Sequence, residues 1–386
     1  MFTRIAVLIA YMAMFPGDIA AQIMPLPEQV SGDTVVTAFI PAAAYASDIG
    51  FVGTAAISRF RYNPEVAPYV SLTELRLQAS TKGFLDLRVL YEHTETLGRS
   101  VRSKWTMNAV RHPFDNYFGI GNNTVFDSDR WEDQYYFYDV MRVNLSYQGR
   151  TTLYRPRHSL STLDLTFMAG TRYEQPGVNE GNLIDHEQPA GIEAGWTNKI
   201  GMGIIRDSRD NEFAATRGGR MQLSWEWAPR FLLNDYPMTL VDVEIRRFLS
   251  IPAPWLRPVL AMRLTGSHAF GTIPFWNMPY LGDELTLRGY PVYRFRGDSA
   301  IFYNLELRSW VYHHPFLEFS FGVHAFHDSG RVFTDEDRFR DVLRDYHRTF
   351  GGGIVMALFT PDFILRFDAG FSDEMLRLYM NIGYMF

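Results

Sequence analysis

Residues Leu285–Arg308 read LTLRGYPVYRFRGDSAIFYNLELR, and the stretch changes character halfway. Its first half is interrupted by glycine, proline and arginine residues, namely Arg288, Gly289, Pro291, Arg294, Arg296 and Gly297. Such a composition excludes a regular strand or helix. From Tyr303 to Arg308 apolar and polar residues alternate, which is the period of a strand with one apolar and one polar face. The stretch therefore predicts a charged loop that leads directly into an amphipathic strand.

The same alternation recurs along most of the chain. Near residue 222, for example, Met221 and Leu223 alternate with Gln222 and Ser224. Sixteen segments show the pattern, near residues 34–44, 49–62, 69–80, 83–94, 99–111, 133–148, 160–174, 191–205, 217–231, 237–249, 257–270, 300–313, 317–332, 348–360, 362–371 and 376–386. An even number of such strands is typical of an all-β, transmembrane antiparallel β-barrel in an outer membrane. Fourteen and eighteen strands are the alternatives, because boundaries read from sequence carry errors of several residues.

The composition agrees with a membrane barrel. The chain has 386 residues, 15% aromatic residues, no cysteine and a formal charge of −6. In a membrane barrel only every second strand residue must be apolar, so the overall hydropathy stays moderate. The weak negative balance argues against a nucleic-acid partner, and the lack of cysteine excludes disulfides and thiolate metal sites. The alternative is a soluble β-sandwich, whose strands would turn their apolar faces inward.

The first 21 residues are predicted to be a signal peptide that is removed on export. Arg4 supplies the positive charge, residues 5–15 the apolar core, and Ile19–Ala21 the small-residue cleavage site. An apolar run of about 11 residues is too short for an anchor, which needs roughly 20. Residues 22–33 then form a short periplasmic lead-in, and residues 34–386 form the barrel.

The lengths of the connections predict the orientation of the barrel. With both termini in the periplasm, the outside connections include the long segments 112–132, 175–190, 271–299 and 334–347. The inside connections include the short segments 63–68, 250–256, 314–315 and 360–361. Long outside loops and short inside turns are the usual asymmetry of such barrels.

Five stretches of the chain match motifs of one known protein family. They are Leu287–Tyr290 (an Arg-Gly-Tyr/Phe motif), Ile205–Gly218 (an Asp-x-Arg-Asn/Asp turn), Phe326–Phe333 (an Asp-x-Gly strand), Gly351–Asp368 (the closing hairpin) and Tyr117–Asn122. Together they resemble the BamA/TamA (bacterial surface antigen) family, most strongly over residues 200–386. Members of that family have sixteen strands and carry the Arg-Gly motif in the sixth outside loop, which corresponds to residues 271–299 here.

The resemblance implies a role for this loop. In the family the loop folds back into the lumen, and its arginine contacts acidic residues on the inner wall. When this family pattern is carried over to the present chain, the lumenal motif consists of Arg288, Gly289 and Tyr290. Arg288 is then expected to pair with Asp328 and Glu306. Strand parity agrees, because both acids fall on the polar faces of their strands. The pair would serve as a structural latch that pins the loop or, alternatively, would handle substrate directly.

The resemblance also implies a function at the outer membrane of a Gram-negative bacterium. A monomeric barrel, surrounded by lipid and lipopolysaccharide, would help to insert or translocate proteins or lipids. Well-known members capture clients with periplasmic POTRA domains, which residues 22–33 are too few to provide, so a separate periplasmic partner is implied. The alternative function is a channel or transporter for small solutes that is gated by residues 271–299.

No enzymatic activity, cofactor or metal site is expected. Gly-x-Ser-x-Gly, His-Glu-x-x-His and phosphate-binding glycine motifs are missing from the chain. A charged group that could be read as a catalytic carboxylate cluster is better explained as a periplasmic turn with side-chain hydrogen bonds. This turn motif consists of Asp207, Arg209, Asp210, Asn211 and Gly218.

The last predicted strand, residues 376–386, ends in an aromatic residue after a run of alternating apolar residues. This pattern resembles the C-terminal assembly signal of bacterial outer-membrane barrels, carried here by Tyr384 and Phe386. Glycines near both ends of the barrel, Gly50, Gly53 and Gly383, are compatible with a weak seam between the first and last strands.

Overall fold

The computed structural model describes residues 33–46, 50–97, 100–156, 161–212, 214–253, 256–314, 319–335, 337, 343–358 and 364–386. The predicted signal peptide, residues 1–21, and residues 22–32 of the predicted lead-in lie outside the described residues. Within these ranges no helix is long and apolar enough to cross a bilayer.

The described part of the chain contains eighteen strands, sixteen of which form one antiparallel sheet. The strands are β1 (Thr34–Ala46), β2 (Gly50–Asn63), β3 (Val66–Ser80), β4 (Leu85–Thr96), β5 (Val101–Asn116), β6 (Phe137–Tyr154), β7 (Thr162–Gly177), β8 (Gly195–Asp207), β9 (Gly218–Ala228), β10 (Met238–Ser250), β11 (Val259–Gly271), β12 (Tyr280–Leu281), β13 (Phe295–Arg296), β14 (Ser299–His314), β15 (Phe319–Phe333), β16 (His347–Leu358), β17 (Ile364–Phe371) and β18 (Leu376–Ile382). Short helices α1 (Ser128–Glu132) and α2 (Leu183–Glu187) lie in two of the connections.

Each strand of the large sheet pairs with its neighbours along the chain, and β12 and β13 pair only with each other. The sixteen predicted strands are therefore confirmed, with ends that differ from the predicted ones by a few residues. The largest shift is at β6, which begins and ends later than predicted. Strands β11 and β14 are direct neighbours across residues 272–298, the segment called the lumen loop below.

The two faces of the sheet differ in the way a membrane barrel requires. In β3, Glu74 and Arg76 are buried, whereas Leu75 and Leu77 are 47% and 46% exposed. Strand β2 alternates between buried and exposed residues from Gly50 to Tyr62. Because charged side chains are buried on the enclosed face of β3 while leucines are exposed on its other face, the soluble β-sandwich is excluded and the exposed apolar face suits lipid.

The long and short connections lie at opposite ends of the strands, as predicted. The long connections are residues 117–136, 178–194 and 272–298 at one end, the long-loop end. Residues 64–65 and 251–258 are connections at the other end, the short-turn end. Both ends of the barrel domain, at β1 and after β18, also lie at the short-turn end.

The last strand is shorter than predicted. Strand β18 ends at Ile382 rather than at Phe386, because Gly383 adopts a left-handed conformation with φ of 79° and turns the chain. The Gly383 N–H donates to the carbonyl of Ile364 at 2.7 Å, which holds this turn against β17.

The turn at Gly383 redirects the terminal aromatic residues. Phe386 is buried on the inner wall, where its ring centroid lies 6.3 Å from that of Phe248. By contrast, Leu376 and Leu378 of β18 are exposed on the outward face. Tyr384 and Phe386 therefore lie beyond the last strand, and the predicted extension of that strand over residues 383–386 is wrong. Their role as an assembly signal stays a prediction.

The edges of the sheet are unequal in length. Strand β1 pairs with β2 over its thirteen residues, whereas β18 has only seven residues. Any pairing between β1 and β18 is therefore limited to about half the length of the β1–β2 ladder. This inequality supports the predicted weak seam more directly than the glycines do.

A cysteine pair can test the β11–β14 register, since the natural chain has no cysteine. Leu264 and Tyr303 are directly opposite on the outward face, so Leu264→Cys with Tyr303→Cys should form a disulfide under mild oxidation. The matched control, Leu264→Cys with Leu305→Cys, is diagonal and should cross-link at least several-fold less. Equal cross-linking of both pairs on denaturing gels would contradict the register.

Candidate functional site

The lumen loop is packed onto the inner wall of the barrel. Four of its apolar side chains form a buried cluster with residues of β14 and β15; the cluster is Leu281, Leu287, Tyr290, Phe295, Ala300, Phe302 and Val332. Within the loop, Asp283 Oδ1 accepts hydrogen bonds from the Leu285 N–H and the Thr286 hydroxyl, each at 2.8 Å. This aspartate turn shapes the chain just before the Arg-Gly-Tyr motif.

Arg288 is at the centre of the site and is fully buried. Its Nε and Nη2 donate to the two carboxylate oxygens of Asp328, both at 2.8 Å. Its Nη1 donates to Glu306 Oε1 at 2.5 Å. Two-oxygen contact between a guanidinium and a carboxylate is the strong form of this interaction. The predicted contacts of Arg288 with Asp328 and Glu306 are therefore present.

A third carboxylate, that of Asp368 in β17, completes the acidic set. Its Oδ2 lies 3.5 Å from Arg288 Nη1 and 3.1 Å from Arg366 Nε. Its Oδ1 lies 2.8 Å from His324 Nε2, which must carry the proton to donate to a carboxylate. Arg288, Glu306, Asp328 and Asp368 are together called the latch below.

Two glycines of β16 allow residues of β15 and β17 to meet across it. Gly353 is in register with both His324 and Asp368, and a Cβ at Gly353 would lie 2.7 Å and 2.8 Å from atoms of these side chains. A Cβ at Gly351 would lie 2.3 Å from the ring of Phe326. The glycine run of the closing hairpin is therefore a packing requirement of the latch.

Two neighbours fix the position of the arginine. The ring of Phe326 lies under the guanidinium, whose central carbon is 3.4 Å from the ring centroid. Gly289 has a φ of 107°, and a Cβ there would lie 3.0 Å from backbone atoms of Phe371 and Ser372. Its N–H donates to the Tyr379 hydroxyl oxygen at 2.8 Å. Glycine is thus required beside Arg288, because the loop backbone contacts β17 and β18 closely.

The loop also holds the last hairpin of the barrel. The Tyr290 hydroxyl donates to Asp373, and Arg294 makes a two-oxygen contact with Glu374, with its Nη2 2.6 Å from Oε1. Arg294 also donates to the hydroxyl and the carbonyl oxygen of Thr124, at 2.6 and 2.7 Å. One loop therefore connects the β17–β18 turn with the β5–β6 connection.

The C-terminal residue is joined to the latch through Arg308. Arg308 Nη2 donates to the Phe386 backbone oxygen at 3.1 Å, and its Nε donates to Glu306 Oε2 at 2.7 Å. The other oxygen of Glu306 binds Arg288. The carboxylates of the latch thus face three guanidinium groups, those of Arg288, Arg308 and Arg366, so buried charges of both signs are matched.

The predicted turn motif lies at the short-turn end, between β8 and β9. Arg209 makes a two-oxygen contact with Asp207, with Nη2 2.6 Å from Oδ2 and Nε 3.0 Å from Oδ1. Asp210 accepts from the Thr216 hydroxyl at 2.5 Å, Asn211 Oδ1 accepts from the Ala214 N–H at 2.8 Å, and Gly218 has a φ of 89°. All of these hydrogen bonds stay within residues 207–218, so the structure supports a structural turn.

Sequence reasoning missed several members of the site. Asp368, Arg308 and Arg366 were recognisable as inward-facing from strand parity, but their partners were not. Nothing in the sequence indicated that Arg294 of the lumen loop binds Glu374 of the β17–β18 turn. Periodicity cannot pair two residues that lie outside strands and far apart in sequence. Within the described ranges no group of three or more His, Cys, Asp or Glu residues is placed to hold a metal ion.

The latch yields a first prediction. Arg288→Ala and Asp328→Ala should each raise the basal conductance in planar bilayers, because removing one partner of a buried ion pair costs about 3–5 kcal/mol and frees the loop. The double variant should add little to either single variant, since both changes break one interaction. Silent single variants, or simply additive effects, would show that the latch does not hold the loop.

A second prediction concerns the glycine run. Gly353→Val should raise the conductance like Arg288→Ala, because a Cβ would lie 2.1 Å from the Phe367 carbonyl oxygen and would separate His324 from Asp368. The matched control is Gly266→Ala in β11, where a Cβ would meet nothing within 4 Å. Equal conductance of wild type and Gly353→Val would contradict the packing requirement.

A third prediction concerns the β8–β9 turn. Burial alone would raise the pKa of Asp210, but hydrogen bonds from Thr216 and from the Arg217 N–H outweigh it and lower the pKa below 3.8. A lowered pKa stabilises the fold above the unfolded-state value, and this contribution is lost as the pH falls through the lowered value.

Asp210→Ala should therefore lower the melting temperature at pH 7, and the difference from wild type should shrink below about pH 4. Asp129→Ala, at an exposed aspartate of the long-loop end, is the control. If the difference in melting temperature between wild type and Asp210→Ala is the same at pH 7 and at pH 3, the Asp210 carboxylate charge does not contribute to stability.

Comparison with known proteins agrees with the fold. Residues 78–386, which make up most of the chain, match the Omp85 superfamily domain. No curated protein sequence matches the chain.

Among solved structures, BamA from Haemophilus ducreyi lacking POTRA domains 1–3 is similar, with 12% sequence identity and a TM-score of 0.58 over 91% of this chain and 70% of that chain. CdiB from Acinetobacter baumannii (11%, TM-score 0.58) and CdiB from Escherichia coli (12%, TM-score 0.59) are also similar. The alignments span 92% and 93% of this chain, but only 66% and 63% of the two CdiB chains. The likeness shows a shared antiparallel β-barrel fold. The family match over residues 78–386 shows that the chain belongs to the Omp85 superfamily, and the BamA/TamA motifs agree with it.

Proposed function

We propose that this barrel assists the insertion or translocation of proteins, or of lipids, at the outer membrane of a Gram-negative bacterium. The single observation that carries the proposal is the lumen loop, which is locked by buried ion pairs and also binds the last hairpin. A loop held this way occupies part of the lumen and leaves the seven-residue β18 as the weakest edge of the sheet. Such a barrel is better suited to controlled opening at the seam between the first and last strands than to permanent passage of solutes through its centre.

The proposed orientation places the long loops outside the cell and the short turns in the periplasm. A client that arrives from the periplasm would then meet the short-turn end, where β18 ends and where Tyr384 and Phe386 lie. We also propose that a separate periplasmic protein delivers the client, that the barrel acts as a monomer, and that it binds and guides clients without catalysis.

The competing function is a channel or transporter for small solutes. The two functions differ in the conductance of the wild-type protein in planar bilayers. The proposed function predicts a small, flickering conductance that grows sharply when residues 272–298 are replaced by a short Gly-Ser linker. A large and stable conductance of wild type, unchanged by the replacement, would favour the channel instead.

Assembly can be measured directly. Vesicles with the purified full-length barrel should speed the folding of a urea-unfolded outer-membrane β-barrel, followed by its heat-resistant gel mobility, relative to vesicles with an unrelated barrel at equal density. The protein should also co-purify with a periplasmic protein from its native envelope. Equal folding rates, with and without that partner, would contradict the proposed function.

A further inference from the structure

A pocket at the short-turn end of the barrel lies outside the latch and shares only Arg308 with its charge network. Its volume is about 950 Å³, within the range of small-molecule sites. The β8–β9 turn, the β10–β11 connection, the end of β14 and Tyr384 line it. We propose that this mouth pocket binds the headgroup and the adjoining acyl chain of an anionic phospholipid.

The described lining of the pocket is positively charged. Four arginines line it, namely Arg217, Arg247, Arg257 and Arg308, and none of the described lining residues is acidic. The pocket is therefore locally positive, although the chain as a whole has a formal charge of −6. Guanidinium groups match the planar, multi-oxygen geometry of phosphate.

One buried donor of the pocket lacks an acceptor. Arg308 is buried, with its Nε bound to Glu306 and its Nη2 bound to the Phe386 backbone oxygen. Its Nη1 is also buried, and it has no hydrogen-bond partner among the described residues. A phosphate oxygen in the pocket would supply the missing acceptor, as buried polar groups require.

Part of the pocket wall is apolar. Phe248, Val259 and Trp310 line the pocket on its inner side. Leu249 and Ile251 also line it, and each is 40% exposed beside the outward, lipid-facing surface of β10. A free phosphate would leave these apolar groups uncovered, whereas an acyl chain would cover them and continue into the bilayer. The assignment needs the barrel to lie in a membrane, but it does not depend on the assembly activity.

The test is lipid retention by the purified full-length protein in a neutral detergent, measured by native mass spectrometry. Phosphatidylglycerol should be retained as one bound lipid, and phosphatidylcholine with the same acyl chains should bind at least ten-fold more weakly. Arg247→Gln combined with Arg257→Gln should weaken phosphatidylglycerol binding by about five-fold per arginine. Arg230→Gln, at an exposed arginine of the long-loop end, is the control and should bind like wild type.

Equal retention of the two lipids, or unchanged retention by the double variant, would overturn the proposal. Displacement of phosphatidylglycerol by millimolar inorganic phosphate would mean a site for free anions and would also overturn it. Should the double variant fail to fold, Ile251→Asn replaces it, since it alters only an exposed apolar wall residue. That variant should lose phosphatidylglycerol, and normal retention by it would contradict the acyl-chain contact.

Discussion

The inner architecture of this barrel depends on the burial of one guanidinium group, that of Arg288, among the carboxylates of Glu306, Asp328 and Asp368. A charge buried in protein is tolerated only when opposite charges and hydrogen bonds replace its water. The loop can therefore leave the wall only if these carboxylates find new partners or water. This constraint turns a long, irregular connection into a fixed part of the lumen.

Other features follow from that constraint. The glycines of β16 remove side chains where β15 and β17 must meet, and Gly289 lets the loop backbone lie against the last hairpin. Arg308 extends the same charge network to the C-terminus. Loop position, the last hairpin and the C-terminal turn are thus physically connected, so a change at one of them has a route to the others. That connection is why the proposed function places controlled opening at the edge of the sheet.

The fold was largely predictable from the sequence, because alternation with period two survives in nearly every strand and the connection lengths alternate. The inward position of Glu306 and Asp328 followed from parity, and their pairing with Arg288 from the family resemblance. The role of Asp368 was not predictable, since it requires contact across Gly353 of an intervening strand. The end of β18 was also missed, because the apolar alternation continues to Phe386 although Gly383 turns the backbone.

The central claim is that the lumen loop is a fixed part of the folded barrel. Amide hydrogen exchange of the loop peptides, measured by mass spectrometry in bilayer nanodiscs, tests it most directly. In the wild type, residues 282–297 should be protected nearly as long as β14 and β15, and Arg288→Ala should remove this protection while β2–β4 stay protected. Fast exchange of the loop in the wild type, or equal protection in the variant, would contradict the account.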